Sequence, residues 1–208
     1  MNPVEADDGL ADAARSALKA MLDQSGCRSL AELWRLFPIV LRDSNPDYPR
    51  WYAEVAAQVR ERLDGCVVRI HHIGSTSVPG LVAKPIVDVL AEIDPAADPL
   101  AVVAALGADG WRLAAQTTTP HLRLDLVQGY TPAGFADRVC HLHVVHPGDH
   151  DELWFRNWLR THAAARADYT ALKQDLAVRY EHDRDTYTDA KTSFVREIVR
   201  QARSQQAS

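Results

Sequence analysis

The sequence predicts an α+β fold, a mixed β-sheet flanked by N-terminal and C-terminal helices. Three observations carry this expectation. Apolar residues recur at helical spacing as far as Gly65, the period falls to two in segments between Cys66 and Val145, and helical spacing returns after Pro147. No internal repeat or low-complexity tract suggests a solenoid or a disordered chain.

Residues 5–24 set Ala6, Leu10, Ala13, Ala14, Ala17, Leu18, Met21 and Leu22 at helical spacing before Gly26, the pattern of an accessory helix. Ser29 with Glu32 three residues on is a capping-box pattern ahead of Leu30, Leu33, Trp34 and Phe37, so a short helix is expected there, ending at Pro38. Asn45 to Pro49 reads as a turn. Pro49 suits a first helical position, and Trp51, Val55, Val59 and Leu63 carry that helix to Gly65. A strand then runs from Cys66 into Gly74. Lys84 to Ile93 is a second strand, nearly continuous in apolar residues and therefore expected at the centre of the sheet. Asp98 and Pro99 open a helix that ends near Gly110. Residues 121–127 alternate, with Leu122, Leu124 and Leu126 on one face and His121, Arg123 and Asp125 on the other; residues 139–145 alternate likewise and place His141 beside His143. Helices follow over about 150–162, 164–180 and 184–203, giving a sheet of four or more strands. The expected organisation is a helical extension over 1–36, one domain over 37–203 and a tail over 204–208.

The chain has 208 residues, 47% of them hydrophobic and 25% charged, as in an ordinary globular protein. No apolar run approaches the roughly 18 residues that a membrane helix needs. The acidic start, Met1 to Asp8, lacks the apolar segment of a secretion signal, so a cytoplasmic protein is expected. Cys27, Cys66 and Cys140 are odd in number and far apart, which argues for reduced, buried thiols rather than disulfides or a thiolate metal site. A net charge of -5 disfavours bulk nucleic acid and favours a small-molecule substrate. Of 23 basic residues only Lys19, Lys84, Lys173 and Lys191 are lysine.

Chemistry is concentrated in three places. Ile73-Gly74-Ser75-Thr76-Ser77-Val78-Pro79-Gly80 delivers a strand into a turn of small and hydroxyl residues, which suits a phosphate; a plain tight turn has the same needs. Asp88 sits among Ile86, Val87, Val89 and Leu90, where a carboxylate is costly unless it is paired, metal-bound or facing a cavity. Asp125 is on a strand two places from Arg123, which suits either a site or an ion pair. His141 and His143 share a strand face and can chelate a metal or hydrogen-bond oxygens. With no outer-sphere partner identified for either ring, hydrogen bonding is the expected role. If the strands pair with polar faces aligned, Asp88, Arg123, Asp125, His141 and His143 meet on one surface. Lys84, before Pro85, could reach the turn; Tyr187 and Lys191, four apart, could share a helix face as stacking ring and phosphate clamp. Trp154, Trp158, Leu159, Leu172 and Leu176 read as core, and Arg156, Arg160 and Lys173 as a solvated basic face.

His72-Ile-Gly-Ser-Thr-Ser-Val-Pro-Gly-Leu81, followed by Lys84-Pro-Ile-Val-Asp-Val89, resembles the signature of the GrpB family within the nucleotidyltransferase superfamily. So do Gly129-Tyr-Thr-Pro-Ala-Gly-Phe135, His141-Leu-His143 and Tyr187-Thr-Asp-Ala-Lys191, so the resemblance runs from roughly Phe37 to Val199. It implies a nucleotidyltransferase-like sheet with Gly74 and Ser75 at nucleotide phosphates. The expected activity is binding of a nucleoside triphosphate with Mg²⁺ and transfer of a nucleotidyl group to a small polar acceptor. Asp88 and Asp125 would hold Mg²⁺ and act in catalysis with His141 as a candidate base; Gly74, Ser75, Thr76, Lys84, Arg123, His143, Tyr187 and Lys191 would bind the nucleotide. The chain departs from the superfamily pattern at Leu90, where a second carboxylate is usual, and Glu92 on the same face lies about 13 Å beyond Asp88. Two further readings therefore stand beside the first: a non-catalytic ligand-binding module, and a His/Asp metal-dependent enzyme of another reaction class.

Overall fold

The computed structural model of the chain describes residues 13, 16, 17 and 19–206. Ser29 caps α1 (Leu30–Arg35), its hydroxyl accepting from the Glu32 N–H at 3.2 Å while the Glu32 carboxylate accepts from the Arg28 N–H at 2.7 Å. Pro49 stands in the first turn of α2 (Tyr48–Arg62). Then come β1 (Val67–Ile73), a single 3₁₀ turn (Ser75–Ser77), β2 (Ile86–Ile93) and α3 (Pro99–Gly107), which Asp98 caps by accepting from the Leu100 N–H at 3.0 Å. A meander of β3 (Arg112–Thr117), β4 (Arg123–Thr131) and β5 (Gly134–Val145) follows. Four helices complete the chain: α4 (Asp151–Thr161), α5 (Ala163–Arg179), α6 (Arg184–Asp189) and α7 (Thr192–Gln206).

The five strands form one sheet in the order β1-β2-β5-β4-β3. β2 and β5 pair in parallel and the other neighbours are antiparallel, so the sheet is mixed as the sequence predicts. Period-two alternation sorts its faces. Val87, Val89, Ala91 and Ile93 of β2, Leu124 and Leu126 of β4, and Leu142 and Val144 of β5 point to one side and pack under Val59 of α2 and Leu106 of α3, the main core. The opposite face carries Asp88, Asp125, His141 and His143, and the C-terminal helices cover it. Register aligns these groups, because Asp88 lies opposite His141 and Asp125 opposite His143. The sheet therefore has one oily face that holds it together and one polar face beneath helices, which is where a site can form.

Several expectations need correction. β2 is interior but not central; β5 holds that position. β3 went unanticipated because Arg-Leu-Ala-Ala-Gln-Thr carries no apolar alternation, and as an edge strand it buries only Leu113. The helix expected over 184–203 is two helices, since the chain turns at Ala190 and Lys191 with the Lys191 N–H donating to the Thr188 carbonyl at 3.2 Å. Tyr187 and Lys191 accordingly do not share a helix. Helix α7 runs on to Gln206, through much of the expected tail. Trp154 and Trp158 are half-buried rather than core, the latter stacked on His162 at 3.6 Å. All three cysteines are free, but only Cys140 is buried. Much of the expected 5–24 helix lies outside the described residues; those of it described, 13, 16, 17 and 19–24, are helical. No helix among the described residues is long and apolar enough to cross a membrane.

Candidate functional site

At the end of β1 the backbone takes φ 66° at Gly74, a left-handed conformation that favours glycine. A second constraint acts at the same residue, since a Cβ there would fall on the Asp88 carboxylate. The turn that follows is fastened from behind. The Ser77 hydroxyl donates to the Gly74 carbonyl at 2.6 Å, Arg160 donates twice to the Ser77 carbonyl at 3.0 and 2.7 Å, and Arg156 donates to the His72 carbonyl at 2.9 Å. Arg156 and Arg160 are thus buttresses of this turn and not a merely solvated face. His72 is buried, stacked on Tyr52 at 4.8 Å and bonded through Nε2 to the Thr76 hydroxyl at 3.0 Å. Burial pushes its pKa down to about 4, so the ring is neutral.

Asp88 is the carboxylate of β2 that reaches the cavity in front of this turn, with its side chain 25% exposed. Its Oδ1 lies 3.1 Å from His141 Nδ1 and 4.0 Å from His143 Nε2. Burial alone would raise the Asp88 pKa, but the two imidazoles beside it outweigh that and hold it far below the usual carboxylate range. The two rings differ. His143 Nδ1 sits 2.5 Å from Asp125 Oδ1, and although burial lowers its pKa, Asp125 and Asp88 together lift it to about 9. His141 has its pKa lowered by burial, only partly offset by Asp88, and its Nε2 meets the Tyr130 hydroxyl at 2.8 Å.

Above this centre lies a cavity of about 470 Å³, which Gly74, Ser75 and Asp88 share with four cations: Lys84, Lys173, Arg184 and Lys191. Lys173 is 2% exposed; its ammonium donates to the Ser75 hydroxyl at 3.1 Å and to the Val82 carbonyl, and lies 4.6 Å from the Tyr169 ring. Lys84 and Lys191 flank Tyr187, at 5.4 and 4.1 Å from its ring. Arg184 is held among Tyr130, Trp34 and Phe135 at 5.3, 5.4 and 5.9 Å and donates to the Tyr130 hydroxyl at 2.7 Å, while its Nη1 is buried without a partner. Burial, with mutual repulsion, lowers Lys84 and Lys173 to about 7 and Lys191 to about 8. A pocket that disfavours its own positive charges is one that an anion would relieve.

Of the residues singled out from sequence, Gly74, Ser75, Lys84, Asp88, His141, His143, Tyr187 and Lys191 line this cavity. Three do not. Thr76 is buried and its hydroxyl is engaged by His72. Asp125 faces His143 and Arg123, with the His143 ring between its carboxylate and that of Asp88. Arg123 bonds Asp125 at 3.1 Å and Glu152 at 2.8 Å and lies 3.1 Å from His143 Nδ1, which makes it part of the scaffold behind the imidazole. Tyr187 is 1% exposed, so it walls the cavity and offers no open stacking face. Lys173 is buried and lines the cavity rather than belonging to a solvated basic face, and Arg184 is a lining cation that the sequence reading does not single out. Lys173 had a readable signal, because Tyr169, Lys173 and Leu176 fall at helical spacing and all three are buried.

Mg²⁺ prefers octahedral oxygen donors. Among the described residues, the group able to close on one ion is Asp88, His141 and His143, with one donor atom of each within 4.8 Å of the others. One carboxylate and two imidazoles do not make the oxygen set that Mg²⁺ selects. Leu90 is fully buried against Ile73 and Val145.

The chain is similar over most of its length to known proteins. It is 37% identical over 160 residues to a UPF0157 protein of Pseudomonas aeruginosa, covering 76% of this chain and 65% of that protein's length. It is 32% identical over 174 residues to a UPF0157 protein of Halalkalibacterium halodurans, covering 79% of this chain and 82% of that one. A protein of Mycolicibacterium paratuberculosis named dephospho-CoA kinase matches at 27% identity over 188 residues, with 79% of this chain spanning 46% of that protein. Among solved structures, the conserved protein GrpB from Enterococcus faecalis superposes with a TM-score of 0.70 at 25% identity, covering 81% of this chain and all of that one. The profile of the family described as GrpB protein matches residues 38–201, and the chain belongs to that family.

Proposed function

We propose that the chain binds a nucleoside triphosphate, with its phosphates at Ser75 and the four cations, and transfers the nucleotidyl group to a small polar acceptor. The observation that carries this reading is the convergence of Lys84, Lys173, Arg184 and Lys191, from separate segments of the chain, on one cavity beside the Gly74–Ser75 turn. Buried lysines with lowered pKa and no carboxylate bound to them are costly in the empty protein. A polyphosphate offsets that cost with charge-assisted hydrogen bonds. In the transfer step the acceptor's hydroxyl oxygen forms a bond to the α-phosphorus, the bond from that phosphorus to the bridging oxygen breaks, and pyrophosphate leaves among the cations. The hydroxyl proton passes to the Asp88–His141 pair, where His141 is uncharged at neutral pH.

The test combines binding with product detection. Nucleoside triphosphates should raise the melting temperature of the full chain more than mono- or diphosphates do, and Lys191→Ala and Arg184→Ala should reduce that shift. Incubation with an α-labelled triphosphate and small hydroxyl or amino acceptors should transfer the label. No thermal shift with any nucleotide refutes the reading. The buried Leu90 favours one alternative, a nucleotide-binding module without turnover; binding without label transfer to any acceptor would select it.

A further inference from the structure

We propose that Asp88, His141 and His143 bind one transition-metal dication of the Zn²⁺ type in preference to Mg²⁺, with Asp125 and Tyr130 as the outer partners that orient the two imidazoles. This deepens the nucleotide reading of the same cavity and rests on it for what the ion is used for; with the ion bound, Asp88 and His141 are ligands and the acceptor's proton passes to water in the cavity instead.

The geometry of the rings is the first argument. Each histidine spends one nitrogen on an outer partner and turns the other toward Asp88: His143 meets Asp125 through Nδ1 and presents Nε2, while His141 meets Tyr130 through Nε2 and presents Nδ1. Metal-bound histidines are held this way, because the outer hydrogen bond fixes both tautomer and ring orientation. Neither outer partner was evident from sequence spacing, and their presence reverses the expectation of simple hydrogen-bonding histidines. Both partners are themselves restrained, Asp125 by Arg123 at 3.1 Å and Tyr130 by Arg184 at 2.7 Å.

Donor spacing is the second argument. Bonds of about 2.0–2.1 Å in tetrahedral geometry place donor atoms roughly 3.3 Å apart. The two distances from Asp88 Oδ1 to the presented nitrogens, 3.1 and 4.0 Å, bracket that value. Composition is the third. Two imidazoles and one carboxylate suit Zn²⁺ and its neighbours, and three protein donors leave a coordination position for an exogenous group. All three residues line the cavity, so that position opens toward the bound substrate. On the other side Gly74 brings bare backbone against Asp88, where a side chain would push the carboxylate away.

The full chain, purified without a polyhistidine tag and stripped with a chelator, is titrated with Co²⁺, whose visible absorption reports nitrogen and oxygen coordination. The expected result is saturation at about one ion per chain, with displacement by Zn²⁺ and none by excess Mg²⁺. The His141→Gln/His143→Gln double variant should lose the absorption, and Asp125→Asn should weaken Co²⁺ affinity about 10- to 100-fold while keeping the stoichiometry. Because removal of two buried rings can itself unfold the chain, wild-type protein is also melted: stripping should lower its melting temperature and one equivalent of Zn²⁺ should restore it. No Co²⁺ absorption in the wild type, or absorption that survives in a folded double variant, overturns the proposal. Nucleotide binding is measured separately, so its absence beside an intact Co²⁺ spectrum refutes the nucleotide reading alone.

Discussion

Replacing Lys173 with methionine should stabilise the protein at pH 7 and destabilise it at pH 10. The lysine is 2% exposed, and burial, aided by the nearby Lys191 charge, lowers its pKa from 10.5 to about 7. At about 1.36 kcal/mol per pH unit, this corresponds to roughly 5 kcal/mol against the folded state wherever the unfolded lysine is charged and pH is at or below 7. The penalty shrinks as pH rises and vanishes near the unfolded value, leaving less than about 1 kcal/mol at pH 10. Methionine has similar length and carries no charge; the Ser75 hydroxyl keeps Tyr169 as a partner, but the Val82 carbonyl is left without its donor. An acceptor left unmade costs about 1–3 kcal/mol at either pH. The balance is a gain of about 2–4 kcal/mol at pH 7, on the order of 5–10 °C in melting temperature for a chain of this size, and a loss of a few degrees at pH 10. Thermal unfolding followed by circular dichroism across pH 7–10 reads the sign change directly. A Lys173→Met variant that melts lower than wild type at pH 7, or a difference that does not move with pH, would show that the ammonium is a structural asset and refute the reasoning.

Three further outcomes follow from the same geometry. Triphosphate affinity should fall as pH rises from 6.5 to 8.5, because Lys84 and Lys173 lose their protons near pH 7 and a bound phosphate favours the charged form; calorimetry showing a flat profile would exclude them as phosphate ligands. Gly74→Ala combines a left-handed backbone with a clash on Asp88 and should cost about 2–4 kcal/mol, part of it recovered in the Gly74→Ala/Asp88→Ala double variant; urea unfolding with no recovery would place the strain elsewhere. In metal-free protein, Asp125→Asn should lower the His143 pKa from about 9 toward the ordinary imidazole value, as read by NMR titration of the ring protons, and an unchanged value would mean that Asp125 does not sustain the charge.

The polar face of the sheet was legible because period-two alternation is a local property: Asp88, His141 and His143 could be assigned to one side of their strands from neighbours alone. Pairing register is not local, so the contact of Asp125 with His143, in place of Asp88, emerged only from the alignment of β4 on β5. The cations were the least legible part. Helical spacing can say that Lys173 shares a face with Tyr169 and Leu176, but a long amphipathic side chain is compatible with either a wet or a buried setting until its neighbours are known. Arg184 depends on Trp34, some 150 residues earlier in the sequence, a distance over which no spacing rule operates. β3 shows the opposite limit, since an exposed edge strand needs no apolar pattern once its neighbour supplies the hydrogen bonds.

The order in which the chain contributes to the cavity has an evolutionary consequence. The floor, from Ile73 to His143, comes from the sheet and from the connection between its first two strands, whereas the cover, from Asp151 to Val195, comes from the C-terminal helices and the turn at Lys191. Asp88 with its imidazoles, and three of the four cations, Lys84 excepted, are therefore encoded in consecutive stretches. Substitutions in the helical third can alter the shape and charge presented to a substrate while Asp88 and its imidazoles stay fixed by strand register. Under the proposed function, a lineage could thus exchange acceptors by remodelling these helices alone, with Asp88, His141 and His143 inherited unchanged.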